Sequence, residues 1–357
     1  MEVLLSKVID LQNETSIVIG KELENLKKQN QNQPIKSSTL SLKNKILTKS
    51  EVYCLLSYNL NGTNVLISGG WNGEISIWGL NDYKLLFQLK EHLKCISSLL
   101  QVFVDDKGSS DKQLLASSSY DGSIIIWDLN TKKAIFNLNE HKSPVYSLAL
   151  VKIDNNNISS DDCKFALASG SADYSIIVWD LSKRKSFFQL KEHTKTVYVL
   201  TTIIIDNKET LVSGSYDGTI LIWDLETKKS IYQIKEYDKY PIKALITIII
   251  DNNQALAIAS NNSILIWDVS SKKFIFQLSD NTFIIYTLST ITIDNIQLLA
   301  SGGEDNSILL WDLSTKKIVL KLKEHDNWIY TIISTTNNEG KQSLYSGSRD
   351  CTIKIFS

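Results

Sequence analysis

The residue types in this chain best suited to chemistry are histidine, serine and aspartate, and they recur as sets. Four histidines, His92, His141, His193 and His325, are each followed by a serine (Ser117, Ser169, Ser213, Ser346) and, four residues later, by an aspartate (Asp121, Asp173, Asp217, Asp350). Imidazole, hydroxyl and carboxylate are the working groups of nucleophilic catalysis, acid–base catalysis and metal binding. A single set would be a candidate centre. Four at similar spacing are a repeat, and the first three each run on to a tryptophan, Trp127, Trp179 and Trp223. The groups therefore read as repeated structural hydrogen-bond partners. The sequence has no GxxxxGK phosphate loop, GxSxG elbow or HExxH pair, so neither an enzyme nor a cofactor is expected.

Composition narrows the function classes further. The chain is 43% hydrophobic and 22% charged with a net charge of -1, which is globular and gives no global field toward nucleic acid or membranes. Cys54, Cys95, Cys163 and Cys351 lie far apart with no CxxC pair, so a reducing, intracellular setting is expected: cytoplasm, with the nucleus left open. The first twenty residues are interrupted by Lys7, Asp10 and Glu14, unlike a secretory signal. No apolar run reaches the roughly 18 residues of a membrane span.

The elements that hold the recurring residues follow from the period. Apolar–aromatic triplets close on Trp78, Trp127, Trp179, Trp223, Trp267 and Trp311, with a degenerate close on Phe356, at steps of 49, 52, 44, 44, 44 and 45 residues. One unit, residues 193–237, breaks into VYVLTTII, ETLVSGS, TILIWDL and SIYQIK, separated by Asp-Asn, Asp-Gly and Glu-Thr-Lys turns. These are four short strands. The third run is apolar at almost every position, as a strand buried on both faces requires. A lone four-stranded sheet cannot cover both its faces, and radial stacking of seven does so for all of them.

The unit resembles the WD40 repeat in its histidine, its Ser-x-x-x-Asp and its closing Trp-Asp. The resemblance covers residues 40 to 357 and implies an all-β, seven-bladed β-propeller. In that family the His, Ser, Asp and Trp side chains bond in sequence across a blade. Blades 2, 3 and 4 carry full sets: His92, Ser117, Asp121 and Trp127; His141, Ser169, Asp173 and Trp179; His193, Ser213, Asp217 and Trp223. Blade 1 has Ser68 and Trp78 with Asn72 for Asp. Blade 5 has Ala257, Asn261 and Tyr237, and is expected to be the weakest polar lock. Blade 6 has Ser301, Asp305 and Trp311 with Asp280 or Asn281 for His, and blade 7 has His325, Ser346 and Asp350 with Phe356.

The expected organisation is an amphipathic helix and linker over residues 1–35 and a propeller over 36–357. Phe356-Ser357 follows the third strand of blade 7, so Thr39 to Lys43 is expected to supply the fourth strand and close the ring. Leu4, Val8, Leu11, Val18 and Leu26 recur at near-helical spacing. Three destinations stay open for that helix: the propeller's own flank, self-association or a partner helix through residues 1–30, and disorder.

The resemblance also locates a binding face. Partners of WD-repeat proteins commonly dock over the mouth where the His loops and Asp turns open. The residue after the Val or Ile that starts each inner strand points there and reads Tyr53, Ser97, Tyr146, Tyr198, Lys243, Tyr286 and Tyr330. The position before each structural Asp or Asn reads Trp71, Tyr120, Ala172, Tyr216, Ser260, Glu304 and Arg349, and Trp328 adds an aromatic. Tyr and Trp dominate binding hot spots. On the opposite face, Lys132-Lys133, Lys183 to Lys185, Lys228-Lys229, Lys272-Lys273 and Lys316-Lys317 form a rim, read as solvated turns, with an acidic or phosphate-bearing partner as the other reading. Aromatics and lysines on opposite faces argue against nucleic acid. The expectation is a non-catalytic scaffold or adaptor for protein or peptide partners, or else a substrate receptor or structural subunit of a larger complex such as a ubiquitin ligase. Against the ligase version, the third residue after each Trp is Asn130, Ser182, Glu226, Ser270 or Ser314 rather than the Arg of several ligase adaptors.

Overall fold

A computed structural model describes residues 40–106, 109–153, 164–234, 240–279, 283–336 and 342–357. These form twenty-eight strands in seven four-stranded antiparallel sheets, an all-β seven-bladed propeller. The helix and linker expected over residues 1–35 lie outside the described residues, as do Tyr237, Asp280 and Asn281.

Blade 1 runs Val52–Leu60, Thr63–Gly70, Ile75–Gly79 and Leu85–Leu89 from the axis outward, and the same order repeats in blades 2 to 6 at 96–138, 145–190, 197–234, 242–278 and 285–322. First strands of successive blades lie side by side, and Val52–Leu60 adjoins Ile329–Thr336, so the ring is closed. First and second strands are joined in four blades by two-residue turns with both residues at positive φ: Asn61-Gly62, Asp206-Asn207, Asp251-Asn252 and Asp294-Asn295. Asp and Asn tolerate that conformation, and its twist suits a hairpin.

The core lies between blades. Ile124–Asp128 and Ile176–Asp180 are buried at every position. Each closing tryptophan is buried against the preceding blade: Trp179 lies with Ala116 and Ile126 of blade 2, and Trp267 with Val212 and Ile222 of blade 4. Each buried Ile or Leu contributes about 1.5–3 kcal/mol. The second strands approach the next blade so closely that little room remains for a side chain. A Cβ on Gly214 would sit 2.6 Å from Ile242 Cγ2, and one on Gly347 2.5 Å from Val52 Cγ1.

The aspartate of each Trp-Asp pair shapes the turn that follows. Asp128, Asp180, Asp224 and Asp312 accept from the backbone N–H two residues on, at 2.8–3.0 Å, and Asp268 accepts from that of Ser271 at 2.6 Å. These turns stay exposed, as read from the sequence, and add a second role to the cationic rim. Lys132, Arg184, Lys228, Lys272 and Lys316 all take positive φ, and each cation lies over an aromatic ring of the preceding blade: Phe87, Phe136, Phe188, Tyr232 and Phe276, at 4.7 to 5.7 Å from the ring centre. These residues clasp adjacent blades and are not simply solvated. Each clasp contributes about 0.5–1 kcal/mol.

Blade 7 has three strands of its own, Ile329–Thr336, Gln342–Ser348 and Thr352–Phe356, and its fourth is Leu42–Leu47. The pairing runs antiparallel from Leu42 opposite Phe356 to Leu47 opposite Thr352. This strand begins three residues later than the segment the sequence suggested and overlaps it at Leu42 and Lys43. Its anchor is Ile46, 4% exposed among Tyr345, Ile353 and Ile355. Ile46→Asp places an unpaired charge in that contact and is expected to destabilise the propeller by about 2–3 kcal/mol, read as a lower midpoint of thermal unfolding. A midpoint equal to wild type would mean the strand does not hold blade 7.

Candidate functional site

The recurring polar residues form four hydrogen-bonded sets. In blades 2, 3 and 4 the tryptophan indole N–H donates to the serine Oγ at 2.7–2.8 Å. The histidine Nε2 engages the same Oγ at 2.7–2.8 Å, and Nδ1 meets an aspartate oxygen at 2.8–3.1 Å. Blade 7 keeps His325 on Ser346 at 2.6 Å and on Asp350 at 2.8 Å, with Phe356 in the tryptophan's place. The four serines are fully buried, so no substrate reaches their hydroxyls. Both nitrogens of each imidazole are engaged.

The aspartate ends each set at a turn. Asp217 accepts from the backbone N–H groups of Thr194 and Thr219 and from the Thr219 hydroxyl as well as meeting His193. Burial works against its ionisation, yet the hydrogen bonds from His193, Thr219 and the Thr194 backbone outweigh it and hold the carboxyl well below the usual range. Asp121, Asp173 and Asp350 are depressed by the same balance.

That turn borders the mouth. At the start of every inner strand the pairing register slips by one residue, and the extra residues are Tyr53, Ser97, Tyr146, Tyr198, Lys243, Tyr286 and Tyr330. A bulge takes a residue out of the ladder and re-aims its side chain. Seven bulges at one level make a ring. The second row is tied to it by the backbone: Trp71, Tyr120, Ala172, Tyr216, Glu304 and Arg349 each donate an N–H to the carbonyl just before an inner strand, that of Trp328 in the case of Arg349, at 2.8–3.1 Å.

The side chains meet around the whole circle. Tyr53 stacks on Tyr330 at 4.1 Å and meets Trp71 at 5.4 Å and Tyr120 at 6.0 Å. Tyr120 meets Tyr146 at 5.0 Å, and Tyr146 meets Tyr198 at 4.8 Å. Tyr216 lies 6.0 Å from Tyr198. The Lys243 ammonium bridges Tyr198 and Tyr286 at 4.6 and 5.4 Å. Tyr286 returns to Tyr330 at 5.7 Å, with Trp328 between them and Arg349 over Trp328 at 4.9 Å. In blade 2, where the ring residue is Ser97, that hydroxyl donates to the Val145 carbonyl and meets Ser118 Oγ, while Tyr120 spans the gap. The aromatic and cationic residues singled out from the sequence, Tyr53, Trp71, Tyr120, Tyr146, Tyr198, Tyr216, Lys243, Tyr286, Trp328, Tyr330 and Arg349, thus lie in one contact network. Ala172 and Ser260 add no ring to it.

The electrostatics suit binding more than proton transfer. Burial pushes the Tyr198 phenol up to about 12, and Tyr53, Tyr120 and Tyr286 are raised by burial together with neighbouring phenols or Glu304. The hydroxyls stay protonated at neutral pH. Burial lowers the Lys243 pKa against a counteracting pull from Glu304. Sequence reasoning missed Glu304 as a partner: it accepts from the Tyr286 hydroxyl at 2.6 Å. It also missed Glu51, 3.3 Å from the Arg349 guanidinium.

Blades 1, 5 and 6 lack the full set. Trp78 and Trp311 still donate to Ser68 and Ser301 at 2.8 and 2.9 Å. In blade 5 Ala257 offers no acceptor, and the Trp267 indole N–H is buried without a hydrogen-bond partner among the described residues.

The family model for the WD domain, G-beta repeat, matches residues 83–128, 132–180, 184–224, 273–312 and 316–357, together more than half of the chain. The stretch between 224 and 273, which holds the first three strands of blade 5 with Ala257 and Asn261, is unmatched. No curated protein matches the chain. No helix among the described residues is long and apolar enough to cross a membrane.

Two outcomes follow for stability. Ala257→Ser gives Trp267 an acceptor and is expected to stabilise by about 1 kcal/mol; an unchanged or lower unfolding midpoint would mean the indole already has a partner. The four aspartates ionise more readily folded than unfolded, where the side chain titrates at about 3.9. Their stabilisation is complete above that value and is lost as pH falls through it and below. Asp217→Asn should therefore lower the midpoint at neutral pH and make its decline below about pH 4 shallower than in wild type; parallel acid limbs would refute the linkage.

Proposed function

The chain belongs to the WD-domain, G-beta-repeat family, and from that premise we propose that it is a non-catalytic interaction scaffold whose aromatic mouth grips a protein or peptide partner. The observation that carries this reading is the bulge at the head of all seven inner strands. Bulges interrupt ladder pairing, and at one level around the whole ring they deliver five tyrosines and a lysine to a single opening. Core packing gains nothing from that placement, since the core lies between blades.

The mouth has the make-up of a binding hot spot. Its rings are half-buried, while Trp71 and Tyr216 at its edge are exposed. Their mutual contacts fix their rotamers before any partner arrives, which reduces the ordering cost of association. Phenol O–H groups, the Lys243 ammonium and the Arg349 guanidinium supply donors, and Glu51 and Glu304 supply acceptors. Such a surface suits an extended segment with carbonyl or carboxylate groups facing the phenols.

The test is the combined variant Tyr146→Ala, Tyr198→Ala, Trp328→Ala. Affinity purification from the source cell, read by mass spectrometry beside wild type, is expected to lose a defined group of partners while the unfolding midpoint stays near wild type. Identical partner lists would overturn the reading.

A further inference from the structure

Blade 1 contains a cavity where blades 2, 3, 4 and 7 contain a histidine. Each of those histidines lies four residues before the Val or Ile that opens its inner strand. The residue at that place in blade 1 is Thr48. Its short side chain turns away, its hydroxyl donating to the Ser50 carbonyl at 2.8 Å, and its backbone N–H is held by the Cys351 carbonyl at 3.0 Å. A cavity of about 260 Å3 remains, lined by Val52, Ser68, Asn72, Glu74, Trp78 and Leu85 among others.

Four of those lining residues are the blade 1 counterparts of the groups around His92. Ser117, Asp121, Ser123 and Trp127 of blade 2 correspond to Ser68, Asn72, Glu74 and Trp78. Ser68 is 4% exposed and accepts from the Trp78 indole at 2.8 Å. In the four histidine-bearing blades the matching serine also meets an imidazole nitrogen at 2.6–2.8 Å. Ser68 has no such second partner among the described residues. At the other end, Asn72 Oδ1 accepts from the Ser50 hydroxyl and the Glu74 backbone, and the Glu74 carboxylate is held by Lys90 at 2.7 Å.

We propose that this cavity is a binding site for an imidazole ring supplied in trans, either as a free imidazole or as the histidine side chain of a partner. Its polar ends, Ser68 on one side and Asn72 and Glu74 on the other, are the blade 1 counterparts of the groups that meet the two ring nitrogens of His92 in blade 2. Val52, Leu85 and the Trp78 ring supply apolar walls for the ring faces. The chain's own histidines cannot serve, because all four are engaged in their own blades.

The experiment uses untagged, 15N-labelled full-length protein and follows the tryptophan indole resonances. Titration with imidazole is expected to shift the Trp78 indole saturably and leave those of Trp127, Trp179 and Trp223 in place. Thr48→His, which fills the cavity from within, should abolish the shift and raise the unfolding midpoint. Blocked Gly-His-Gly and Gly-Phe-Gly peptides separate the sources: a response to the histidine peptide identifies a partner side chain, and a response to imidazole alone identifies a small ligand. No Trp78 shift with either probe, an equal shift with the phenylalanine peptide, or a shift that survives in Thr48→His would overturn the proposal. Should Thr48→His fail to fold, the wild-type titration with the two peptides decides the question alone.

Discussion

A buried indole N–H needs an acceptor, and the way this chain supplies one organises everything between its core and its mouth. Tryptophan fills the space between two sheets better than any other side chain, but it brings one polar atom into an apolar place. A serine on the neighbouring strand accepts that hydrogen bond in blades 1, 2, 3, 4 and 6. Its hydroxyl can also engage a histidine, which in turn meets an aspartate. The aspartate then fixes the turn whose preceding residue reaches the mouth. The relay of hydrogen bonds thus runs from the centre of a blade to its edge at the mouth.

The departures from the relay become informative once its direction is clear. Blade 5 breaks it at the first step, leaving Trp267 without an acceptor among the described residues, and its mouth position is the one filled by a cation, Lys243. Blade 1 breaks it at the middle step, keeping the serine and losing the histidine, which leaves space. Blade 7 replaces the tryptophan with Phe356, so no indole N–H arises and Ser346 serves His325 without one. A step removed together with the group it would satisfy costs little, whereas a step removed alone leaves an orphan or a void.

Much of this was legible in the sequence because a repeat multiplies its own signal. The period, the four strands per blade and the His, Ser, Asp and Trp sets could be read from types and spacing. The mouth residues could be placed because each sits beside a fixed landmark, either the Val or Ile that opens an inner strand or the Asp or Asn of the repeat. Other features left no local mark. The cation–aromatic clasps join Lys228 to Phe188 and Lys316 to Phe276 across neighbouring blades, and only packing reveals that the two sides meet. The cavity beside Ser68 was not legible because it is an absence: Thr48 is an unremarkable residue until its four histidine counterparts show what it fails to fill. The closing strand was found but not bounded, because alternation alone does not mark where a strand begins; burial of Ile46 shows where it is anchored.

Mouth and scaffold are therefore coupled through the same turns. Tyr120 and Tyr216 immediately precede the aspartates that end the relay in blades 2 and 4, and their backbone N–H groups are bonded beside the bulged inner strands. A change that loosens Asp121 or Asp217 frees the ring next to it. Conversely, a partner that packs on these rings bears on a turn already tied to the core by a histidine and a serine. Rigidity at the mouth is thus a consequence of how the blades keep their buried polar groups satisfied. Blade 5, where no serine–tryptophan bond forms and Lys243 meets two phenol rings, lacks that support at its first step.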